Sequence, residues 1–496
     1  METQTRTILD VGNVGRYKMD APAEFTGLAS DSREVKPGYL FAALPGSRAD
    51  GGAFLADAVA RGAVAVLGRP ELAPHARELG VRFLADENPR LRLGHLAASF
   101  YREQPSVIAA VTGTNGKTSV TVFLRQIWAN QGIRAASLGT VGLVTPEGES
   151  AVAHTTPDPI ALHRLLAELR RDRIDQLALE ASSHGLDQHR LDGVRIVAAA
   201  FTNITRDHLD YHATFQAYLH AKLRLFSELV QDGGIAVVNA DAEHSQDFAA
   251  AATARKLTLL TVGTRGENLH LISRELRADG QDLRVLYRGT AREIALPLVG
   301  EFQASNALVA AGLALGLGEP EEKVFAALAG LRGAPGRLEK VAHAPTGAPI
   351  YVDYAHTPDA LETVLTALRP HVRGKLHVIF GCGGDRDTGK RPLMGAAAAR
   401  CADAVIVTDD NPRSEDASDI RRAALAGCPG AREIGDRADA ITAGIASLAP
   451  KDVLVIAGKG HESGQIIGSE TRLFSDRDVA IEAARALGGG AAEEIS

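Results

Sequence analysis

The residues with the clearest chemical grammar are Thr112-Gly-Thr-Asn-Gly-Lys-Thr118, directly behind the apolar run 107–111. Glycines at such a turn let backbone N–H groups close around phosphoryl oxygens, and a helix starting behind them adds partial positive charge. Gly113, Thr114, Asn115, Gly116, Lys117, Thr118 and Ser119 form the candidate cradle. Lys117 would reach the β/γ-phosphates and the Thr118 hydroxyl would face Mg²⁺. Only Thr114 and Asn115 separate the two glycines, where the standard phosphate loop has four residues. The stretch points to binding and use of a nucleoside triphosphate and leaves the purpose open.

Such a cradle needs a strand before it and a helix after it. Residues 107–111 are apolar and β-branched at both ends. Val120, Phe123, Leu124, Ile127 and Trp128 then recur at helical spacing. The same strand-then-polar order returns along the chain. Residues 174–179 lead to Glu180-Ala-Ser-Ser-His184, followed by Gln188 and Arg190, and 196–201 lead to Asn203 and Arg206-Asp-His-Leu-Asp-Tyr-His212. Further on, 350–352 lead to Asp353-Tyr-Ala-His356, 376–380 to Gly381-Cys-Gly-Gly-Asp385-Arg386-Asp387, 404–408 to Asp409-Asp-Asn-Pro-Arg413, and 453–457 to Gly458-Lys-Gly-His-Glu462. In an open, mostly parallel sheet, ligands bind at the carboxyl ends of the strands. Glu180 and His208 are candidate ligands for a hard cation near the phosphates.

The pattern predicts an α/β protein of three domains: residues 1–105, small and loop-rich; 106–333, a central P-loop ATPase-like parallel-sheet domain; and 334–496, a Rossmann-like domain. Gly333-Ala-Pro-Gly336 reads as a hinge. Several residues have bland readings on their own. Ser30, Ser32, Ser47 and Arg48 read as surface turns, or as loop contacts to a phosphorylated or sugar ligand. Lys222 reads as a solvated lysine on an amphipathic helix. Asn306 reads as part of a helical first turn or a ligand contact. Cys382 reads as a small buried residue, and Gly381–Gly384 lacks the dinucleotide fingerprint.

Composition narrows the class. The 496 residues are 45% hydrophobic and 23% charged, ordinary for a globular protein. A net charge of −7 argues against nucleic-acid binding by bulk electrostatics. Cys382, Cys401 and Cys428 are too few and too irregular for a disulfide framework or zinc site, which fits a reducing compartment. No apolar run reaches spanning length and the start lacks a signal-peptide core, so a cytoplasmic protein without membrane insertion is expected.

Taken together, the motifs resemble the Mur ligase family of ATP-dependent amide-bond ligases. The resemblance covers nearly the whole chain and rests on Thr112–Thr118, Glu180-Ala-Ser-Ser-His184, Asp353-Tyr-Ala-His356 and Gly458-Lys-Gly-His-Glu462. Asp31-Ser-Arg33 and Gly383-Gly-Asp-Arg-Asp-Thr-Gly-Lys-Arg391 are typical of the branch that adds the third amino acid to UDP-N-acetylmuramoyl-L-alanyl-D-glutamate. The resemblance implies a UDP-binding first domain, with Ser30, Ser32, Ser47 and Arg48 near the uridine diphosphate. His154, Thr155, Thr156, Ser182, Gln188 and Arg190 would hold the muramoyl dipeptide. Asn306, Arg337 and Asp353 would assist ATP. Arg386, Asp410, Asn411, Pro412, Arg413, Gly458 and Glu462 would take the incoming amino acid. Lys222 matches a lysine carried as a carbamate (N6-carboxylysine), which with Thr118, Glu180 and His208 would position Mg²⁺. Lys117, Lys222, His208 and His356 would be the catalytic set, His356 as a candidate to assist the amine. His154 stands where Asn is common, and Gly52 where a bulkier residue often follows Asp-Gly.

The resemblance further implies substrates of low molecular weight, a UDP-muramoyl dipeptide and a diamino acid, and a monomer is expected. Asp-Asn-Pro-Arg accompanies ligases for meso-diaminopimelate, whose distal carboxylate a guanidinium binds bidentately, whereas L-lysine or L-ornithine presents only an ammonium there. Those two amines stay open alternatives. Other rivals are a ligase like MurF or folylpolyglutamate synthase, and a nucleotide-switched interaction protein. A switch would not require a dipeptide and an amine together for phosphate release.

Overall fold

The computed structural model describes residues 25–46, 50–205 and 211–492. Ser47, Arg48 and His208 lie outside the described residues. The chain divides into two compact units, Met1–Lys117 with Trp128–Leu260, and Thr118–Ile127 with Thr261–Ser496.

In the first unit, the strands Gly27–Ala29, Tyr39–Ala42, Ala65–Gly68 and Arg82–Ala85 pair in chain order, all parallel. Leu40, Ala65 and Leu67 on this sheet pack with Leu93, Leu96 and Phe100 of the helix Pro89–Tyr101. The second sheet of this unit runs Val230–Asn239, Ile196–Phe201, Val107–Thr112, Gln176–Glu180, Ala135–Gly139. All four of its contacts are parallel, and two antiparallel strands, Gly142–Thr145 and Gly148–Ser150, extend it. The chain leaves Val107–Thr112 toward one side and later returns to fill the other, which makes that strand's carboxyl end the topological switch point. Register aligns Val111 with Glu180 and Thr112 with Phe201, so the polar segments behind these strands emerge at one edge. The expected strand 174–179 is Gln176–Glu180. Glu180 is thus its last residue, inside the sheet rather than in the loop.

In the second unit, Leu269–Arg277, Gly280–Tyr287 and Thr290–Leu296 form an antiparallel meander. It precedes the helix Glu301–Gly316, whose face is nearly all buried. The last sheet runs Arg432–Glu433, Ala404–Val407, Leu376–Phe380, Val453–Ala457, Pro349–Asp353, Glu339–His343, Gly490–Ala491, parallel except for two antiparallel pairings made by Glu339–His343 near one edge. Apolar clusters fill both faces, Leu361, Leu365, Met394 and Ile420 on one, Ile441, Ile445, Ala480 and Ala484 on the other. That is the doubly wound arrangement expected from runs of Val and Ile flanked by amphipathic helices. Asp353 and Phe380 each pair with Ala457 on the strand between them, and Phe380 also pairs with Val407. Four polar loops therefore leave the sheet at one edge.

Candidate active site

The glycine-rich loop has the geometry its sequence requires. Gly113 and Gly116 have φ of +153° and +86°, a region that side chains rarely adopt. A Cβ at Gly113 would also collide with the Thr202 hydroxyl. The loop is pinned by the neighbouring strand end: Thr114 N–H donates to the Asn203 carbonyl (2.8 Å), Asn115 N–H to Asn203 Oδ1 (3.0 Å), and the Thr202 hydroxyl to the Asn115 carbonyl (2.6 Å). Lys117 Nζ donates to the Gly113 and Thr114 carbonyls at 2.9 and 2.7 Å, curled over the loop it would share with a phosphate. Behind it the helix Lys117–Asn130 begins, with Thr118 and Ser119 buried and Asn115 exposed. Val120, Phe123, Leu124, Ile127 and Trp128 are fully buried, as their spacing predicts.

Lys222 overturns its bland reading. It is 1% exposed, on the helix Phe215–Arg224, with Nζ 4.6 Å from the Tyr218 ring centroid and 2.7 Å from the Gly113 carbonyl oxygen. A lysine on a solvated face would leave its ammonium in water; this one is turned inward to the phosphate loop.

Glu180 is likewise 1% exposed, accepting from Thr140 N–H (2.8 Å) and the Thr140 hydroxyl (3.2 Å). Around it the residues expected to hold the muramoyl dipeptide are joined. The Thr140 and Thr155 hydroxyls lie 3.2 Å apart. Thr156 donates to the Glu180 carbonyl (2.8 Å) and lies 3.0 Å from Ser182 Oγ, which caps the helix Ser183–Asp187. Arg190 donates to the Thr156 carbonyl (2.7 Å) and to Gln188 Oε1 (2.8 Å), and Gln188 donates to the Tyr211 hydroxyl (3.1 Å). His154 is exposed. In the first sheet's loops, Ser30 is exposed and Ser32 is buried, and Ser32 helps to lower the pKa of Asp57. Asp31 grips Arg33 through both carboxylate oxygens, and that hydrogen bonding lowers its pKa to about 2. A Cβ at Gly52 would sit 2.6 Å from Leu72 Cδ2, the far end of a side chain that can turn aside.

On the second unit, Gln303 joins Asn306 to Arg337, and Asp353 is held beside them by the N–H of Leu338, the residue after Arg337. Asn306 Nδ2 donates to Gln303 Oε1 (3.2 Å), and Gln303 Nε2 to the Arg337 carbonyl (3.1 Å). Asp353 accepts the Leu338 and Ala355 N–H groups at 2.6 and 2.8 Å. Burial nonetheless raises its pKa, opposed by the Arg337 cation. The Arg337 guanidinium stands 4.8 Å from the Tyr354 ring centroid, and the Tyr354 and His356 rings are 4.6 Å apart. His356 Nδ1 lies 2.9 Å from the Tyr354 carbonyl, which can only accept. Nδ1 therefore carries the proton and Nε2 is the basic nitrogen.

The Asp410–Arg413 and Gly458–Glu462 segments meet at the sheet edge. Asn411 is satisfied on both sides of its amide: Oδ1 accepts from Lys459 Nζ (3.0 Å) and Ile466 N–H (2.9 Å), and Nδ2 donates to Glu462 Oε2 (3.0 Å). Arg413 Nη1 donates to the Gly384 carbonyl (2.7 Å), which brings the 383–391 loop to it. Arg391 and Glu415 clamp the same loop at 2.8 Å, and Asp385 binds Ser414. Pro412 is buried; Arg386 is exposed beside Gly383, where a Cβ would stand 3.8 Å from its Cγ. Gly458 has φ +120°, and a Cβ there would press on Asp410 Oδ2 at 2.8 Å. Cys382 is buried, and burial pushes its thiol up to about 12, unsuited to a nucleophile.

Three participants escaped the sequence reading. Lys459 is fully buried and bonded to Asn411 and Glu462 (3.2 Å), with Asp410 at 3.9 Å. Thr140 orients Glu180, and Tyr354 stacks among Arg337, His356 and His461. Lys459 lies inside a quoted motif, so its only signal was position.

An ATP-type phosphate loop at the switch point of one sheet, and a polar cluster at the carboxyl edge of another, define an ATP-dependent ligase assembled from separate α/β domains. Comparison with known proteins agrees. Residues 24–101 match the Mur ligase family catalytic domain, 111–314 the Mur ligase middle domain, and 336–460 the Mur ligase glutamate ligase domain. A UDP-N-acetylmuramoyl-L-alanyl-D-glutamate–2,6-diaminopimelate ligase from Bradyrhizobium diazoefficiens is 55% identical, covering 92% of this chain and 94% of that protein. One of the same name from Caulobacter vibrioides is 52% identical over 91% and 93%. A solved structure of a ligase of that name superposes with TM-score 0.72 at 34% identity, covering 97% of this chain and 99% of that one. MurF from Acinetobacter baumannii shares the fold at TM-score 0.58 and 21% identity. The chain belongs to the Mur ligase family. It has that family's three-domain α/β fold and is an ATP-using ligase of small-molecule substrates. Among the described residues, no helix is long and apolar enough to cross a membrane.

Proposed function

We propose that this ligase joins meso-2,6-diaminopimelate to the D-glutamate γ-carboxylate of UDP-N-acetylmuramoyl-L-alanyl-D-glutamate, as a monomer in the cytoplasm. The observation that carries the choice of amine is Arg413. Its Nη1 is committed to the Gly384 carbonyl, while Nη2 has no protein partner among the described residues. A guanidinium held by one nitrogen with another available suits the distal carboxylate of diaminopimelate and opposes the ammonium of lysine or ornithine. The names of the relatives from Bradyrhizobium and Caulobacter support the same substrate pair.

A carboxylate is a poor electrophile because its leaving group is oxide. The γ-carboxylate oxygen attacks the γ-phosphorus of ATP, the bond to ADP breaks, and an acyl phosphate results. Lys117 and the loop amides spread the charge on the transferring group by position and electrostatics. The amine then attacks the acyl carbon, His356 Nε2 accepts a proton, and the tetrahedral intermediate expels inorganic phosphate. Thr155, Thr156, Ser182, Gln188 and Arg190 hold the dipeptide; Asn306, Arg337 and Asp353 serve the nucleotide.

Mg²⁺ fits the donors present. Glu180 is a buried carboxylate turned to hydroxyl and amide donors, the hard oxygen such a cation takes, and Lys222 as a carbamate would add another. The Thr118 hydroxyl and His208 complete the proposed ligands. The ion would neutralise phosphate charge. The proposed domains are 1–105, 106–333 and 334–496, with Gly333–Gly336 as the hinge.

The test is phosphate release with ATP, Mg²⁺ and the UDP-muramoyl dipeptide, offering meso-diaminopimelate, L-lysine and L-ornithine in parallel, with products identified by mass. Turnover with diaminopimelate alone is expected. Turnover with lysine or ornithine instead would keep the ligase and discard the role given to Arg413.

A further inference from the structure

Arg437 and Asp476 are the first residues of two helices, Arg437–Ala446 and Asp476–Ala486, and neither motif nor mechanism has used them. Both side chains are 0% exposed. They pair through two parallel bonds, Nε to Oδ1 at 2.6 Å and Nη2 to Oδ2 at 2.7 Å. The guanidinium also donates from Nη2 to the Ala457 carbonyl (3.0 Å) and from Nη1 to the Asp409 carbonyl (3.3 Å). Those carbonyls belong to the residues immediately before Asp410–Arg413 and before Gly458–Glu462. One planar group thus ties together the roots of both loops proposed to take the amine. The loops close over it: a Cβ at Gly458 would stand 2.8 Å from Asp410 Oδ2 and 3.8 Å from Arg437 Nη2.

A buried ion pair is weak evidence for stability, since apolar residues of similar volume often serve as well. What apolar residues cannot do is donate in a fixed fork to two carbonyls from different strand ends. We propose that Arg437, held by Asp476, is a positioning residue for the amine site. It sets the spacing between the loop carrying Asn411 and Arg413 and the loop carrying Lys459 and Glu462, and so selects the diamino acid. The inference rests on the proposed function in placing the amine at these loops.

The test compares two variants. The double variant Arg437→Met/Asp476→Leu removes both charges and keeps the volume apolar. Arg437→Lys keeps the ion pair but cannot reach both carbonyls. In whichever folds, measured by melting, the KM for meso-diaminopimelate rises about tenfold, as expected for two lost hydrogen bonds. The KM values for ATP and the UDP-muramoyl dipeptide stay at the native level, and L-lysine is rejected less strongly. A role in folding alone would lower the melting temperature and leave the KM values alone. A folded variant with the native KM for the amine overturns the proposal. Arg413→Ala runs beside them: if it too leaves the amine KM unchanged, the amine does not bind these loops and the underlying reading is what has failed.

Discussion

Lys222 Nζ lies 2.7 Å from the Gly113 carbonyl oxygen across 109 residues of sequence, and Lys117 Nζ donates to the same carbonyl at 2.9 Å. Two ammonium groups around one oxygen repel each other in a site with little water to screen them. Carboxylation of Lys222 would replace one cation by an anion and supply oxygen donors beside the phosphate loop. Mass spectrometry of the intact protein in bicarbonate buffer should show the added mass of one CO₂, absent in Lys222→Met. That variant should lose about 10²–10³ in kcat, the usual cost of one electrostatic stabiliser, with the KM for the diamino acid retained. An unmodified, fully active protein in CO₂-free buffer would rule the carbamate out.

How much of this was legible in the sequence depends on what each residue contacts. The phosphate loop was, because the positive φ of Gly113 and Gly116 and the spacing of the helix behind them are local properties, even though Thr202 and Asn203 pin the loop from a distant strand end. The edge of the last sheet was too, since Leu376–Phe380 and Val453–Ala457 are short apolar runs closed by polar turns. The meander 269–296 was not read, although its second turn, Arg288-Gly289, has the positive φ values (+48° and +79°) of a tight hairpin. Buried and exposed residues alternate along Gly280–Tyr287 and Thr290–Leu296, with Leu283, Val285, Tyr287, Ile294 and Leu296 inward, so both the alternation and the turn were available signals; only Leu269–Arg277 alternates weakly. Lys459 and Arg437 were illegible for another reason, and Lys222 was singled out only by the family resemblance, its spacing alone reading as a solvated lysine. Each is a long cation on a helix or loop, where solvent is the default, and their burial is decided by partners 109, 48 and 39 residues away.

Arg413→Ala should raise the KM for meso-diaminopimelate about 10–100-fold, the worth of a charge-assisted hydrogen bond, and leave ATP binding unchanged. Removing the guanidinium also removes its repulsion of an ammonium, so turnover of L-lysine should rise relative to diaminopimelate. Competition assays with both amines measure the ratio directly. A variant that kept the native preference would place specificity elsewhere in the pocket.

His371 gives the second unit a pH dependence. Its Nδ1 lies 2.6 Å from the Arg277 carbonyl, and its Nε2 accepts the Gly300 N–H at 3.1 Å, so only the neutral ring satisfies both. Burial, with the Arg274 cation adding to it, lowers its pKa below the ordinary value of 6.5, against the pull of the Arg277 carbonyl. A histidine lowered on folding contributes stability that is full above its unfolded pKa and is lost as pH falls through the folded one. Between about pH 7 and about pH 5 the native protein should lose more melting temperature than His371→Gln. Parallel pH profiles of the two proteins would remove His371 from this account.

His356 should shape the rate rather than the stability. Its Nδ1–H is committed to the Tyr354 carbonyl and its own carbonyl accepts from Lys390 Nζ at 3.0 Å. Desolvation of the ring, with the Lys390 and Arg337 cations, lowers its pKa below 6.5, against the pull of the Tyr354 carbonyl. The basic form therefore persists to lower pH than for a free imidazole, and the acidic limb of kcat/KM for the diamino acid should inflect below 6.5. In His356→Gln that limb should disappear, and kcat should fall about 10²-fold, a typical contribution from a positioned base. His461 also has a lowered pKa, from burial and from Arg337, and its ring lies 5.2 Å from Tyr354, so His461→Gln is the control. If the limb survives in His356→Gln and vanishes in His461→Gln, the proton goes to His461; if it survives in both, the amine enters already deprotonated and neither imidazole acts as base.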